Sequence, residues 1–344
     1  MKPIRRPKTD KRFFSTAWGM SALLGILLFV ACLSLRLGSA KMTWQDFFGA
    51  LLWRDSFETR SLILYSVRLP RVLGGALAGM GLAASGVVLQ TLTDNPLASP
   101  NVIGVNAGAG CGVVLCLSLI PLGGTFRLSL IPLFAFLGAL LTALTVTVIG
   151  ERAGGTRASV VLAGVAVTAA LNALISGATL MDADLLSSYH SFSIGGFSGI
   201  SYSELPIPAL MILLCLLLLF AFGARLDLLS LGTGMAHTMG VNVKLVRILG
   251  VLCAAALAAS AVSFAGLLGF VGLIVPHLAR KLVGNRFRPL LFSSVLLGGT
   301  VCVLADLLGR ILLAPTEIPV GIMMALSGGP FFLFLLFRER GNLK

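Results

Sequence analysis

The sequence predicts an all-α polytopic membrane protein of about ten transmembrane helices, and three observations carry that expectation. Apolar residues make up 57% of the 344-residue chain and charged residues 11%, with a mean hydropathy of +0.99. Soluble domains carry about a quarter charged residues. The apolar residues fall into blocks of roughly 18 to 24, the length that takes an α-helix across a ~30 Å hydrocarbon core. The blocks lack the alternating dyads of a membrane β-barrel, and in lipid every backbone polar group needs an internal partner, so helices remain.

Ten spans follow along the chain, at 16–35, 70–92, 101–120, 128–150, 158–181, 206–223, 244–264, 265–283, 290–313 and 319–337. The first follows a basic segment, 1–15, with Lys2, Arg5, Arg6, Lys8, Lys11 and Arg12. That start also fits a signal peptide, with Gly38-Ser39-Ala40 resembling a cleavage site. The apolar run from Thr16 to Leu35 is longer than an h-region of about 7 to 15 residues, which favours a first transmembrane helix. The seventh and eighth spans run together for about 40 residues, too long for one crossing, so a turn is expected at Gly266 and Gly269. Residues 16–337 form one transmembrane domain, and 338–344 a short tail. Each of the forty glycines costs about 1 kcal/mol of helix propensity relative to alanine. Close helix packing is the return, and Gly75/Gly79 and Gly108/Gly112 have the spacing for it.

Charge sets the expected orientation, because short cytoplasmic loops are enriched in Lys and Arg. With the N-terminus inside, the cytoplasmic set gains Arg152, Arg157, Arg225, Lys244, Arg247, Arg280, Lys281, Arg286, Arg288, Arg338, Arg340 and Lys344, while the loop from Asp182 to Glu204 has no base. Both termini are therefore expected in the cytoplasm. Arg36, Lys41, Arg54, Arg60, Arg68 and Arg71 run against the rule on the outer side. The net charge of +13 lacks the basic stripe with interleaved aromatics of a nucleic-acid surface.

Several chemistries find no support. The six cysteines lie in apolar blocks without CxxC spacing, and His190, His237 and His277 form no metal-ligand pattern. No metal site or cofactor of the chain's own is expected. No GxxxxGK[ST] phosphate loop occurs, so any ATP and Mg belong to a partner. Asp306 is the main intramembrane acid, with Arg310 one turn later on the same face. A structural pair explains them more simply than the ion relay of a secondary transporter. The run Leu226–Val243 is placed in the cytoplasm yet is amphipathic and nearly uncharged, carrying Leu228, Leu229, Leu231, Met235, Met239 and Val241. It reads as a docking element for another protein or as a helix lying on the membrane.

Five long stretches resemble one family, the ABC importer permeases for iron-siderophores, haem and cobalamin, known as the FecCD family or type II importers. They are RLPRVLGGALAGMGLAASGVVLQTLTDNPLASPNVIGV (68–105), VVLAGVA (160–166), LLSLGTGMAHTMGV (228–241), FAGLLGFVGLIVPHLARKLVG (264–284) and LADLLGRILLAPTEIPVGIMMALSGGPFFLFLL (304–336). The resemblance covers nearly the whole chain after the first helix. It implies the type II permease fold in a bacterial inner membrane, a homo- or heterodimer of permeases, two cytoplasmic ATPase subunits and an extracytoplasmic substrate-binding protein. An iron(III)-siderophore or related iron chelate is the expected cargo, with haem or cobalamin as alternatives.

The resemblance also assigns roles. Leu228, Leu231, Gly232, Ala236 and Gly240, within a coupling segment 226–243, correspond to the helix that enters the ATPase. Asn95, Leu97 and Leu162 correspond to the cytoplasmic gate. Arg68, Arg71 and Arg310 match positions that dock the binding protein. Two departures stand out: the signature after the fifth helix reads Phe192-Ser193-Ile194-Gly195-Gly196, and Arg157 replaces a small polar residue near the gate.

Overall fold

A computed structural model describes residues 17–38, 42–53, 59–120 and 125–341, and among them regular structure is helical throughout. The basic segment 1–15, Lys41, Arg54 and Lys344 lie outside the described residues. Fourteen α-helices follow in order: α1 (Ala17–Arg36), α2 (Trp44–Trp53), α3 (Thr59–Leu62), α4 (Leu69–Thr93), α5 (Val105–Leu119), α6 (Thr125–Arg152), α7 (Arg157–Met181), α8 (Ala183–Ile194), α9 (Pro206–Leu229), α10 (Thr233–Thr238), α11 (Val243–Ala265), α12 (Val271–Val283), α13 (Phe287–Leu312) and α14 (Val320–Gly341). Each of the ten expected spans coincides with one of these helices. The others, α2, α3, α8 and α10, occupy stretches between them.

Seven helical stretches among the described residues are long and apolar enough to cross a membrane. The remaining three spans, α5, α12 and α14, are shorter or interrupted. At 1.5 Å per residue α12 is only about 20 Å long. The turn before it supplies the missing length. This turn, 266–270, lies at membrane depth, where irregular backbone is tolerated only inside protein. Gly266 turns the chain with φ of 70°, as expected, but the second left-handed residue is Phe270 (φ 65°) and not Gly269. Gly328 makes room for it: a Cβ there would come within 2.3 Å of Cγ of the Phe270 ring.

The second span also begins earlier than expected. Helix runs without a break from Thr59 to Thr93, 35 residues, through a π-helical segment at Ile63–Arg68. A π segment rotates the residues after it relative to those before it. The long helix is the centre of the bundle, with α4 packed on α13, α11 and α12. The small-residue spacing does what its pattern predicts: a Cβ on Gly79 would stand 2.1 Å from the Gly298 carbonyl oxygen, and one on Gly108 2.4 Å from that of Gly138. The α4–α13 and α5–α6 backbones therefore touch directly.

Helix α2 packs Phe47 and Ala50 inward, on Leu64 and the end of α1. Its start is a reciprocal cap, with Thr43 N–H donating to Asp46 Oδ2 (3.1 Å) and Asp46 N–H to Thr43 Oγ1 (3.2 Å). Those Thr43 contacts, with the nearby Arg60 charge, hold the Asp46 carboxyl below its ordinary value.

Candidate functional site

At one end of the bundle, α10 is a six-residue helix held between two glycines in the left-handed region, Gly232 (φ 108°) and Gly240 (φ 79°). An L side chain at either position would be strained. Ala236 is fully buried and its carbonyl accepts from Val241 N–H at 3.0 Å, which closes the α10 turn onto the bundle. Leu228 is half-buried against the core. Leu231, Met235 and Met239 are 63%, 57% and 59% exposed. Met235 and Met239 are one helical turn apart and share a face, and Leu231 is exposed just before Gly232. The five residues assigned to coupling thus divide: Leu231, Gly232 and Gly240 are exposed, while Leu228 and Ala236 anchor the element from below. Beside α10 lies a cavity of about 790 Å³ lined by Glu151, His237, Lys244 and Arg247.

The segment between α4 and α5 lies at the same end. Asp94 ends α4 in the left-handed conformation (φ 44°), and Asn95 N–H donates to the Gln90 carbonyl at 3.1 Å. Asn95 Oδ1 accepts from Leu97 N–H at 2.9 Å, so the side chain bridges the turn over Pro96. Leu97 is 38% exposed and Leu162, on α7, 68%. Helix α7 reaches this segment one step further on: a Cβ on Gly164 would stand 1.9 Å from the Val102 carbonyl oxygen. The approach thus runs through Gly164 and Val102, two residues from Leu162.

At the opposite end, which carries α8, the three arginines assigned to docking are folded inward. Arg68, Arg71 and Arg310 are only 4%, 8% and 2% exposed. Arg71 Nε lies 3.0 and 3.1 Å from the two Asp306 carboxylate oxygens, and its Nη1 is 2.7 Å from Glu317 Oε2. Arg310 Nε is 3.1 Å from Asp306 Oδ2, which is the one-turn pair the sequence suggested. The remaining donors go to the end of α1: Arg310 to the Ser34 and Leu37 carbonyls, both at 3.1 Å, and Arg68 to those of Leu35 (2.8 Å) and Arg36. The last four carbonyls of a helix have no intrahelical donor and carry its partial negative charge. Two guanidiniums therefore cap α1 where no glycine does. In this fold the three guanidiniums are engaged by the chain's own carboxylates and carbonyls.

The altered signature after α7 works by backbone. Gly195 (φ 70°) would place a Cβ 2.4 Å from the Leu267 carbonyl oxygen, Gly196 N–H donates to the Ala265 carbonyl at 2.8 Å, and Gly321 N–H to that of Gly195 at 3.2 Å. The end of α8, the 266–270 turn and the start of α14 are thereby joined around a cavity of about 480 Å³ that Arg71 and Glu317 also line.

Comparison with known proteins decides the family. The model of the FecCD transport family matches residues 26–338. The chain belongs to the FecCD transport family. Among its relatives are the iron(3+)-hydroxamate import system permease protein FhuB of Bacillus subtilis, 35% identical over 99% of this chain and 90% of that protein, and the hemin transport system permease protein HmuU of Yersinia pestis, 35% identical over 92% of this chain and 96% of that one. A solved structure assigned to the metal-chelate type of ABC transporter, in an inward-facing conformation, superposes with a TM-score of 0.79 at 29% identity, covering 93% of this chain and 98% of that one.

Within this FecCD-family chain, Met235 and Met239, read from the sequence as part of the apolar docking element, are the residues that α10 itself exposes. Sequence reasoning left out Glu317, and no local pattern marks it as the partner of Arg71.

Proposed function

We propose that this chain is the membrane permease of an ATP-driven importer whose cargo is an iron(III)-siderophore or a related iron chelate. The observation that carries the reading is the exposed apolar face of α10. An apolar surface of Met235 and Met239, fixed between Gly232 and Gly240 with Leu231 beside it and close to Lys244 and Arg247, is suited to a protein groove. The groove is assigned to a separate ATPase, two copies of which would serve a permease dimer. The relatives that import ferric hydroxamates supply the cargo class. Hemin import by an equally similar relative makes haem the second candidate.

The α10 end is assigned to the cytoplasm, and with it both chain termini. Arg152, Arg225, Lys244, Arg247, Arg280, Lys281, Arg286 and Arg288 gather there, at helix ends. Among the described residues the four outer bases that broke the rule have partners: Arg60 pairs with Asp46, Arg36 stacks 4.0 Å over Trp44, and Arg68 and Arg71 are in the buried cluster. Bases tied up in this way were selected for folding, which reconciles them with the positive-inside pattern.

Helix α7 supports a dimer. Only 17% of its most apolar stretch is buried, against 78% for the stretch containing α4. Its exposed residues include Ala166, Ala169, Ala170, Asn172 and Ala173, small and polar types that suit helix contact or a water-filled path better than lipid. The exposed residues of α9 are instead leucines, among them Leu213, Leu214 and Leu217. We assign α7 to the partner and the path, and α9 to lipid.

The test is reconstitution in proteoliposomes with the cognate ATPase and binding protein. ATP-dependent accumulation of a ferric hydroxamate, measured beside haem and cobalamin, is the expected result. Uptake that survives ATP depletion and collapses with an ionophore would instead identify a secondary transporter.

A further inference from the structure

Helix α12 contains Pro276. A proline has no N–H, so the carbonyl four residues earlier, that of Gly272, loses its helical donor. Gly272 is buried among helices, where an unpaired carbonyl is costly. The donor comes from another helix: Gln90 Nε2, on α4, lies 3.3 Å from the Gly272 carbonyl oxygen and 3.4 Å from that of Leu273. Gln90 is 2% exposed. The other half of its amide is also engaged, since Arg280, one turn beyond Pro276, donates Nη1–H to Gln90 Oε1 at 2.6 Å. One side chain therefore spans the break in α12, holding the carbonyl before the proline and the cation after it.

The main chain of Gln90 faces the inner gate. Its carbonyl accepts from Asn95 N–H at 3.1 Å, and Asn95 in turn bridges to Leu97. The two backbones are in contact nearby, because a Cβ on Gly86 would stand 1.9 Å from the Gly272 carbonyl oxygen, and one on Gly272 2.9 Å from Cδ of Pro100 at the far end of the gate segment. The start of α12 is linked through the 266–270 turn to the end of α8, where Leu267 N–H donates to the Phe192 carbonyl at 3.3 Å. Helix α12 thus runs from the turn beside the outer cavity to the inner gate, and Gln90 supplies the donor that Pro276 lacks.

We propose that Gln90 is a positioning residue of transport: its side chain completes α12 at Pro276 from the last turns of α4, which lead directly into the Asn95–Leu97 turn, so that α12 and the inner gate move as one body. The proposal rests on Asn95 and Leu97 belonging to the gate. It separates two roles that the same side chain could serve, stabilising α12 and transmitting its motion to the gate.

The test uses the full complex with its ATPase, in proteoliposomes, on a background in which the six native cysteines are replaced and Leu97→Cys supplies one thiol for a maleimide. In the Gln90 parent, labelling is expected to differ between the nucleotide-free and ATP-trapped states by about tenfold, within the usual range of coupling between two sites. Gln90→Met keeps the volume and removes both halves of the amide. It is expected to leave complex assembly and ATP hydrolysis in place, to equalise the two labelling rates and to cut uptake per ATP by about tenfold. Adding Pro276→Ala returns an N–H to α12. Recovery of thermal stability without recovery of state-dependent labelling supports the proposal, whereas recovery of both shows that Gln90 serves only the stability of α12 and overturns it. Should Gln90→Met not assemble, Arg280→Met makes the same test, because it cuts one arm of the bridge and leaves the Gly272 bond. Labelling that differs between states in the parent and equally in Gln90→Met overturns the proposal alone. Labelling that is state-independent in the parent overturns the gate reading, and this proposal with it.

Discussion

Arg71 grips Asp306 across 235 residues of sequence, with Nε 3.0 Å from one carboxylate oxygen and 3.1 Å from the other, and both side chains are almost wholly buried. Removing one partner of a buried pair leaves an uncompensated charge at a cost of about 3–5 kcal/mol. Arg71→Ala is therefore expected to lower the melting temperature of the detergent-solubilised permease sharply. The double variant Arg71→Met with Asp306→Leu should recover only part of the loss, because Arg310 then loses its carboxylate partner and Glu317 its bond to Arg71. Arg71→Ala that melts like the parent, yet no longer binds the extracytoplasmic partner, would return Arg71 to the docking role the resemblance implied.

The exposed face of α10 makes the second prediction. Met235→Arg places a charge where the ATPase groove is expected to be apolar, so ATP-driven uptake should fall by at least about tenfold, as for the loss of a binding hot spot. Folding should be unaffected because Met235 is 57% exposed. Ala236→Arg should behave differently: Ala236 is fully buried, so this variant is expected to lower yield and stability before coupling can be read. Equal stability of the two variants would contradict the placement of α10.

A third prediction concerns the α4–α13 crossing. Even the methyl of Gly79→Ala would come within 2.1 Å of the Gly298 carbonyl oxygen, so the two helices must separate. Overpacking of this kind costs typically about 1–3 kcal/mol. Gly49→Ala on α2, where a Cβ would meet nothing within 4 Å, is the matched control. The expected order of melting temperatures is parent and Gly49→Ala together, with Gly79→Ala below both.

The spans were legible because lipid imposes a length and a composition on each crossing, and both are properties of consecutive residues. The Asp306–Arg310 pair was legible for the same reason, since four residues make one helical turn. Its second partner, Arg71, was not, because nothing near either residue in sequence indicates the other. The role of Arg68 and Arg310 at the end of α1 was hidden more deeply: their acceptors are main-chain carbonyls, which every sequence has. The break at Pro276 could be read, but not that Gln90 fills it. The turn between α11 and α12 was legible from Gly266 and Gly269, but not that Phe270 takes a left-handed conformation in it, because the space that permits a phenylalanine comes from Gly328, far along the chain.

The last prediction tests which helix faces the second permease. Helices α7 and α9 are both largely exposed in the isolated chain, but α7 shows four alanines and Asn172 among its exposed Leu162, Val165 and Leu174, where α9 shows a run of leucines. Without a hydrophobic driving force in lipid, helices associate through close packing of small residues and interhelical hydrogen bonds, so α7 has the means to pair and α9 does not. On a background lacking the native cysteines, single thiols along the exposed face of α7, at Ala166→Cys, Ala169→Cys and Ala173→Cys, should include at least one that joins two permeases under mild oxidation. Leu213→Cys and Leu217→Cys on α9 should give none, and should react instead with a lipid-soluble thiol reagent. Cross-linking through α9 with α7 silent would reverse the assignment, placing the dimer contact on the leucine face and leaving Asn172 turned toward lipid, where a polar amide has no partner.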